Sequence, residues 1–349
     1  MSCPLPTLPA PTTGTPAVAG HRPRRLVRLM EGAVRACRLD LTGRHVLTEA
    51  ATGAYVSTAV LAALAGAQVT ALARTTRHGT VDQVRAWTHE VAATAGVAAA
   101  VDVVEDLSPA LISSADVVTN SGHLRPLDEA FIAHVTPGAV VPLMMEAWEV
   151  GAGRVGVDLA ALRRRGVAFA GTNEREPAVG VFEHLGVMAV KLLVDAGVAV
   201  HGTDVLLVCD NPFEAYIART LRACGARVTV SSSAAPLAQR EPVDAIVVAL
   251  TPAVGPRLTR DDLATIARCS PDAVVVQFFG DLDRTAAAEL GVECWPVPAP
   301  PLGHMGVLPS DIGPEPVIRL QAGGLKVAQV LLVPEADRTD ADRGFLDVL

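Results

Sequence analysis

The sequence predicts an α/β protein built as two doubly wound, parallel-sheet domains, and three observations predict it. The first is an internal repeat of a strand–helix–strand–helix–strand unit. A run ending Ala115-Asp116-Val117-Val118-Thr119-Asn120 leads through Leu127-Asp128 and Val135-Thr136-Pro137 to a second apolar run over 138–144. Downstream, Val243-Asp244-Ala245-Ile246-Val247-Val248 leads through Leu258-Thr259-Arg260-Asp261-Asp262 and Cys269-Ser270-Pro271 to 272–278. Each copy closes on a short strand, Gly166-Val167-Ala168-Phe169-Ala170 or Gly291-Val292-Glu293-Cys294-Trp295. The second is composition: hydrophobic residues make up 50% but aromatics only 3%, so the core is Ala, Val and Leu, whose small side chains let helices pack closely on a parallel sheet. The third is length, since 349 residues suit two cores better than one. Both domains are therefore expected to be Rossmann-like, with chemistry in the cleft between them.

The elements follow in order. Residues 1–22 are rich in Pro, Thr and Ala without a continuous apolar core, and are expected to be a disordered tail, neither signal peptide nor membrane anchor. From Arg24 to Cys37, Leu26, Leu29, Met30, Ala33 and Val34 share one face, which predicts an amphipathic basic helix. Domain one spans 23–176 and starts with a strand at Arg44-His45-Val46-Leu47-Thr48, a helix over 55–65 and a strand over 68–73. Residues 50–73 carry no charge and approach the length of a membrane span, but Thr52, Gly53, Ser57, Thr58, Gly66, Gln68 and Thr70 interrupt them, and a β-α-β unit explains the pattern. A helix over 83–95 and strands over 99–104 and 115–119 complete the succession. Pro177, in a first-turn position, is expected to open the longest helix, 178–196, as a hinge element within 177–200. Domain two, 201–302, offers a strand over 204–208, a helix over 213–224 stopped by Gly225 and a strand over 227–231. A Gly-His loop and a helix over 316–332 follow within 303–349, the helix returning to domain one.

Charge and cysteines narrow the partners. With 29 basic and 37 acidic residues the formal charge is −8, which argues against nucleic acid or an anionic membrane and favours a small-molecule substrate. The six cysteines lie far apart, with no Cys-x-x-Cys pair and no nearby His, so free thiols in a cytoplasmic setting and no metal site are expected. Cys209, at a strand end, reads as a buried structural residue before a nucleophile.

The chemistry-bearing residues cluster at predicted strand ends. A dinucleotide fold places glycine in its first strand-to-helix turn so that backbone can approach the pyrophosphate at a helix N-terminus; here that turn is Thr52-Gly53-Ala54. The next strand ends in Arg74-Thr75-Thr76-Arg77-His78, where an NAD site would carry an acid. Arg74, Thr75 and Arg77 suit a 2′-phosphate, so NADP is favoured with NAD possible. Domain two has no glycine in its equivalent turn, and Asp210 and Glu214 there would repel a phosphate. The densest polar cluster runs from Thr119 to Asp128: His123 can exchange a proton near neutral pH, Arg125 can hold a carboxylate or phosphate, and Asn120 can bind substrate. Glu146 is a candidate to orient the histidine, and Trp148, Asn173 and Glu174, the last two at the third strand end, are further substrate-binding candidates. In the second copy His304, flanked by Gly303 and Gly306 after a proline-rich run, is a second acid/base candidate.

One stretch resembles a known family. The succession of hinge helix, Rossmann-like unit, Thr251-Pro252, then Leu263-x-x-Ile266-x-x-Cys269-Ser270-Pro271-Asp272-Ala273, and the late Gly303-His304 loop resembles the D-2-hydroxyacid dehydrogenase superfamily, the formate and glycerate dehydrogenases, over roughly residues 177–332. The resemblance implies hydride transfer, with His304 in the place of the family's acid/base histidine. The family's glycine fingerprint is missing from 208–214, its arginine is not evident near Thr251, and the better cofactor turn lies in domain one.

Together these readings predict an NADP-preferring oxidoreductase acting on a small anionic metabolite. The alternatives are a lyase or transferase using the same His, Arg and Glu cluster, or a degenerate pair of domains that only binds. The uncharged 55–65 helix implies a covered outer face and hence a homodimer.

Overall fold

The computed structural model describes residues 19–151 and 156–349. It has the expected α/β class, with a seven-stranded and a five-stranded sheet. The chain divides into two compact units, and residues 1–18 of the expected tail, with Cys3, lie outside the described residues. Unit one comprises the chain up to Ala147, then 155–179 and 313–349, and unit two comprises 148–154 and 180–312.

Unit one opens with a 3-10 turn, Ala19–His21, and helix α1, Pro23–Cys37, whose buried stripe Leu26, Val27, Met30, Ala33 and Cys37 repeats at helical spacing. Strand β1 (His45–Glu49), a 3-10 turn Gly53–Val56, α2 (Ser57–Leu64), β2 (Gln68–Leu72), α3 (Val81–Thr94) and β3 (Val101–Val104) form the first half. The second half is α4 (Pro109–Ser113), β4 (Val117–Val118), α5 (Glu129–Ile132) and β5 (Val140–Pro142). After α6 (Trp148–Gly151), which belongs to unit two, α7 (Leu159–Arg165) and β6 (Ala168–Thr172) return to the sheet. Strand β4 is shorter than the expected 115–119: beyond Val118 the Thr119 N–H still donates to the Leu47 carbonyl at 3.0 Å, while Asn120 and Ser121 leave the ladder.

Unit two begins with a 3-10 turn, Val181–His184, and α8 (Leu185–Asp195). The expected 178–196 hinge helix is thus shorter and starts later: Gly180 sits at φ 58°, outside helical space, and Pro177 lies in the turn before it. The strands β7 (Asp204–Cys209), β8 (Arg227–Ser231), β9 (Ala245–Ala249), β10 (Val274–Phe279) and β11 (Cys294–Trp295) alternate with α9 (Phe213–Ala223), α10 (Arg260–Cys269) and α11 (Arg284–Leu290). All pair in parallel in the order β11-β10-β9-β7-β8. Successive residues of β7 and β9 enter different cores. Val205, Leu207, Ala245 and Val247 pack with α8 and α9, while Leu206, Val208, Ile246 and Val248 pack with α10 and α11. A sheet covered on both faces needs the continuous apolar runs seen in the sequence.

The longest helix among the described residues is α12 (Pro314–Leu331), which returns to unit one against α1, α2, β5 and β6. A short helix α13 (Asp340–Arg343) and strand β12 (Leu346–Asp347) follow, β12 pairing antiparallel with β6. Helix α2 is covered within its own unit by α1, α3 and α12, and its Thr58 hydroxyl donates to Gln321 Oε1 at 2.8 Å. The apolar 55–65 stretch therefore needs no second copy to cover it, which removes the ground on which a dimer was expected. No described helix is long and apolar enough to cross a membrane.

Helices α8 and α9 pack through Gly186, where an added Cβ would overlap the Thr220 hydroxyl and sit 2.8 Å from the Tyr216 carbonyl oxygen. Backbone cannot give way as a flexible side chain can. Gly186→Ala is expected to destabilise unit two by about 1–3 kcal/mol, read as a lower midpoint in urea unfolding.

Candidate functional site

From one edge the sheet of unit one reads β3-β2-β1-β4-β5-β6, with β12 beyond. Connections from β1 run one way and those from β4 the other, so a crevice opens past the carboxyl ends of these two strands, where doubly wound sheets bind ligands. The residues that leave β1 and β4 define the candidate site.

After β1 the chain makes the Thr52-Gly53 turn, with Gly53 at φ 62°, a conformation that costs a residue with a Cβ. The Trp87 indole N–H donates to the Gly53 carbonyl at 3.3 Å, and the Thr52 hydroxyl donates to the His78 carbonyl at 3.4 Å. These contacts set the loop after β2 beside the turn. Arg74, Thr75 and Arg77 on that loop are exposed; Arg77 Nε donates to His78 Nε2 at 3.0 Å, and the Thr75 hydroxyl accepts the Val81 N–H at 3.3 Å.

At the end of β4, three buried hydroxyls bond one another: Thr119 donates to Thr48 at 2.8 Å, and Ser121 lies 3.2 Å from Thr48 and 2.5 Å from Thr119. Asn120 is 2% exposed. Its Oδ1 accepts the Met144 N–H at 2.9 Å, which orients the amide and leaves Nδ2 as a buried donor without a partner among the described residues. Such a donor is costly unless a water or ligand meets it.

Glu49, the last residue of β1, is the functional candidate that sequence reading missed. It is 5% exposed, and its Oε2 accepts the His123 N–H at 3.0 Å. Gly122 packs directly over it, since any Cβ there would overlap the carboxylate. Burial pushes the Glu49 carboxyl up to about 7, against the pull of the His123 N–H and the Arg125 charge. His123 moves down, through burial first and the positive charge of Arg74 second, so it is neutral near pH 7. A lone carboxylate closing an apolar strand was the available signal.

The other expected site residues divide. Glu146, 4% exposed, lies with its Oε1 3.6 Å from Arg175 Nε, and it is Glu49 that meets the His123 main chain. Asn173 has structural work: Nδ2 donates to the Gly344 carbonyl at 2.8 Å, and Oδ1 accepts the Arg175 N–H at 3.2 Å. Glu174 is half-buried in the turn that follows. Trp148 and His304 belong to unit two. Trp148 packs edge-on against Phe279 with ring centroids 5.5 Å apart. His304 is exposed on a loop that Asp281 and Phe278 hold through the Gly303 and Gly306 N–H groups.

The equivalent crevice of unit two, between β7 and β9, is tied shut by its own side chains. Asp210 accepts from the Thr251 N–H at 2.8 Å, from its hydroxyl at 3.0 Å and from Arg257 at 2.7 Å. Asn211 donates to the Ala249 carbonyl at 2.8 Å and caps α9 through the Phe213 N–H at 3.0 Å. Cys209 is buried, which pushes its thiol up to about 11, so it is no nucleophile near neutral pH.

A hollow of about 530 Å³ also lies in unit one beside Cys37, Lys326 and Phe345. The Lys326 ammonium there is 3.3 Å from Asp342 and lies over the Phe345 ring, contacts that fasten the C-terminal segment to α12. Among the described residues no group of three His, Cys, Asp or Glu is placed to hold a metal.

Fold and site define a two-unit α/β protein with a strand reversal in each sheet, that of unit two bridged by Asp210 and Asn211. No family model matches the chain, and no curated protein sequence matches it. Solved structures do. The chain is similar to a dipicolinate synthase subunit from Bacillus halodurans, with TM-score 0.57 at 14% identity, over 84% of this chain and 100% of that one. It is similar also to the corresponding dipicolinate synthase polypeptide from Bacillus subtilis, with TM-score 0.52 at 13% identity, over 82% and 95%. A putative D-3-phosphoglycerate dehydrogenase oxidoreductase from Ralstonia solanacearum matches with TM-score 0.45 at 12% identity, over 86% and 97%. At these identities the likeness is one of fold.

Because the folded protein raises Glu49 from an ordinary 4.5 to about 7, it binds this proton more tightly than the unfolded chain does between those values. Stability from this group is full below pH 4.5 and declines as pH rises through 7, by on the order of 3 kcal/mol in all. Glu49→Gln removes the decline, so urea unfolding should find the variant more stable than wild type at pH 8 and the gap narrowed or reversed at pH 4.5.

Proposed function

We propose that the protein is an NAD(P)-dependent oxidoreductase, NADP-preferring, acting on a small anionic metabolite, with unit one holding the nucleotide. The observation that carries this is the contrast between the two crevices. In unit one the strand order reverses beside a left-handed glycine turn and an unpartnered buried amide, whereas in unit two Asp210 and Asn211 fill the equivalent place. The fold shared with the two dipicolinate synthase polypeptides accommodates this reading without requiring it.

In this reading the Thr52-Gly53 turn takes the pyrophosphate, and Arg74, Thr75 and Arg77 take the 2′-phosphate, since guanidinium groups match a phosphate dianion and an NAD site would present an acid. A bound nicotinamide supplies hydride. Asn120 Nδ2, fixed by the Met144 N–H, donates to a ligand oxygen. Arg125, exposed beside His123, holds an anionic substrate group. His123, neutral at physiological pH, accepts or returns a proton, and His304 remains the candidate for that role in unit two. Glu146 and Arg175 stiffen the turn after β6.

A cytoplasmic homodimer completes the reading. Of the apolar side chains left exposed, Val187 and Val194 lie two turns apart on α8 and offer a surface for a second copy. A monomer by light scattering at micromolar concentration removes the dimer.

Titration of nucleotide fluorescence tests the cofactor. NADPH should bind more tightly than NADH, and Arg74→Ala should weaken NADPH by roughly tenfold to a hundredfold, the worth of one charge-assisted phosphate contact, with little effect on NADH. Failure of both nucleotides to bind at millimolar concentration removes the redox reading.

A further inference from the structure

Glu49 occupies a position that a nucleotide site should avoid. It closes β1, three residues before Thr52, and the β1/β4 register puts Asn120 at the matching place after β4. Burial leaves it 5% exposed, and among the described residues no cation forms an ion pair with it and its one hydrogen bond is from the His123 main chain to Oε2. An ionised carboxylate with one partner is poorly compensated when buried. Beside it, Asn120 Nδ2 is a second polar group held ready and unused. One donor, the amide, and one convertible group, the acid, therefore sit at the two strand ends where the sheet order reverses, the place where folds of this order bind ligands.

We propose that unit one binds its nucleotide with Glu49 as a neutral acid, the carboxyl O–H donating to a ligand oxygen in the β1/β4 crevice, so that binding takes up a proton. The inference rests on the cofactor reading above and adds to it a residue and a linkage. Oε2 stays committed to the His123 N–H, which leaves Oε1 to carry the proton. The charged and titratable groups facing this corner are His123 and Arg125 from the segment after β4, and Arg74 from the end of β2, acting through His123. His21 adds a titratable group near the turn, its ring 3.9 Å from where a Cβ on Gly53 would lie. The two arginines bring positive charge, which favours an anion. Both histidines are shifted down, so most of their titration lies below that of Glu49.

With a carboxyl pushed up to about 7, the fraction of protein ready to bind falls about tenfold between pH 6 and pH 8. The test measures NADPH affinity by fluorescence at these two pH values, at constant ionic strength, for wild type, Glu49→Gln and His123→Asn. The ligand's own 2′-phosphate titrates near pH 6, but identically for every protein, so differences between proteins carry the answer. Wild type and His123→Asn should each weaken about tenfold more than Glu49→Gln does over this range. Calorimetry on wild type alone, in two buffers of different ionisation enthalpy at pH 8, should show close to one proton taken up per NADPH, and it serves even where the variants fold poorly. Equal pH dependence in wild type and Glu49→Gln, or binding without proton uptake, overturns this inference and leaves the cofactor reading standing. No binding at either pH overturns the cofactor reading itself.

Discussion

Burial of a parallel sheet on both faces is the constraint from which the rest of this molecule follows. In unit two, neighbouring residues of β7 and β9 feed separate cores on opposite faces, so these strands are apolar from Val205 to Val208 and from Ala245 to Ala249. Polar chemistry is pushed to the strand ends, and in both units the functional candidates collect there: Thr48 and Glu49 at the end of β1, Thr119 to Ser121 after β4, Asp210 and Asn211 after β7. At the ends, side chains are buried enough to demand partners yet near enough to solvent to meet a ligand.

The units meet that demand in opposite ways. Asp210 and Asn211 commit their oxygens and amide to Thr251, Arg257, Ala249 and Phe213, which closes the end of β7 onto the end of β9. In unit one the hydroxyls of Thr48, Thr119 and Ser121 satisfy one another, but among the described residues Asn120 keeps an unmet donor and Glu49 a single hydrogen bond. Gly122 makes this possible, because no larger residue fits over the carboxyl. A buried group without its full set of partners is a cost to folding, and a crevice at a strand reversal is where a ligand can offset it.

Much of this was legible in the chain and some was not, for identifiable reasons. The apolar runs of β1, β2, β7 and β9 marked the strands because their residues are buried almost throughout, and Gly225 marked a helix end. The candidate turn and the two arginines after β2 could be read because their chemistry is local. The helix expected over 178–196 was overextended because apolar periodicity ran through Gly180, whose left-handed backbone only the structure displays. The uncharged α2 stretch pointed outward to a second copy, while the structure covers it with α1 and α12 from distant parts of the chain. Glu49 stayed hidden for the same reason: the loop that buries it, Gly122 and His123, is more than seventy residues away.

The glycine-poor turn and the buried acid bear on each other. A phosphate approaching the Thr52-Gly53 turn brings negative charge toward the end of β1. Two unit charges roughly 5–6 Å apart repel by about 3 kcal/mol at an effective dielectric constant near 20. Keeping Glu49 protonated one pH unit above its midpoint costs about 1.4 kcal/mol. Taking up a proton is therefore the less costly course at any pH no more than about a unit or two above that midpoint, and the neutral acid then gives a hydrogen bond where the ion would only repel. Arg125 and Arg74 lower the same barrier through their fields, but they lie exposed and solvent screens them, whereas the carboxyl acts from inside the crevice. On this balance a carboxylate that looks hostile to an anion becomes, once neutral, one of its donors.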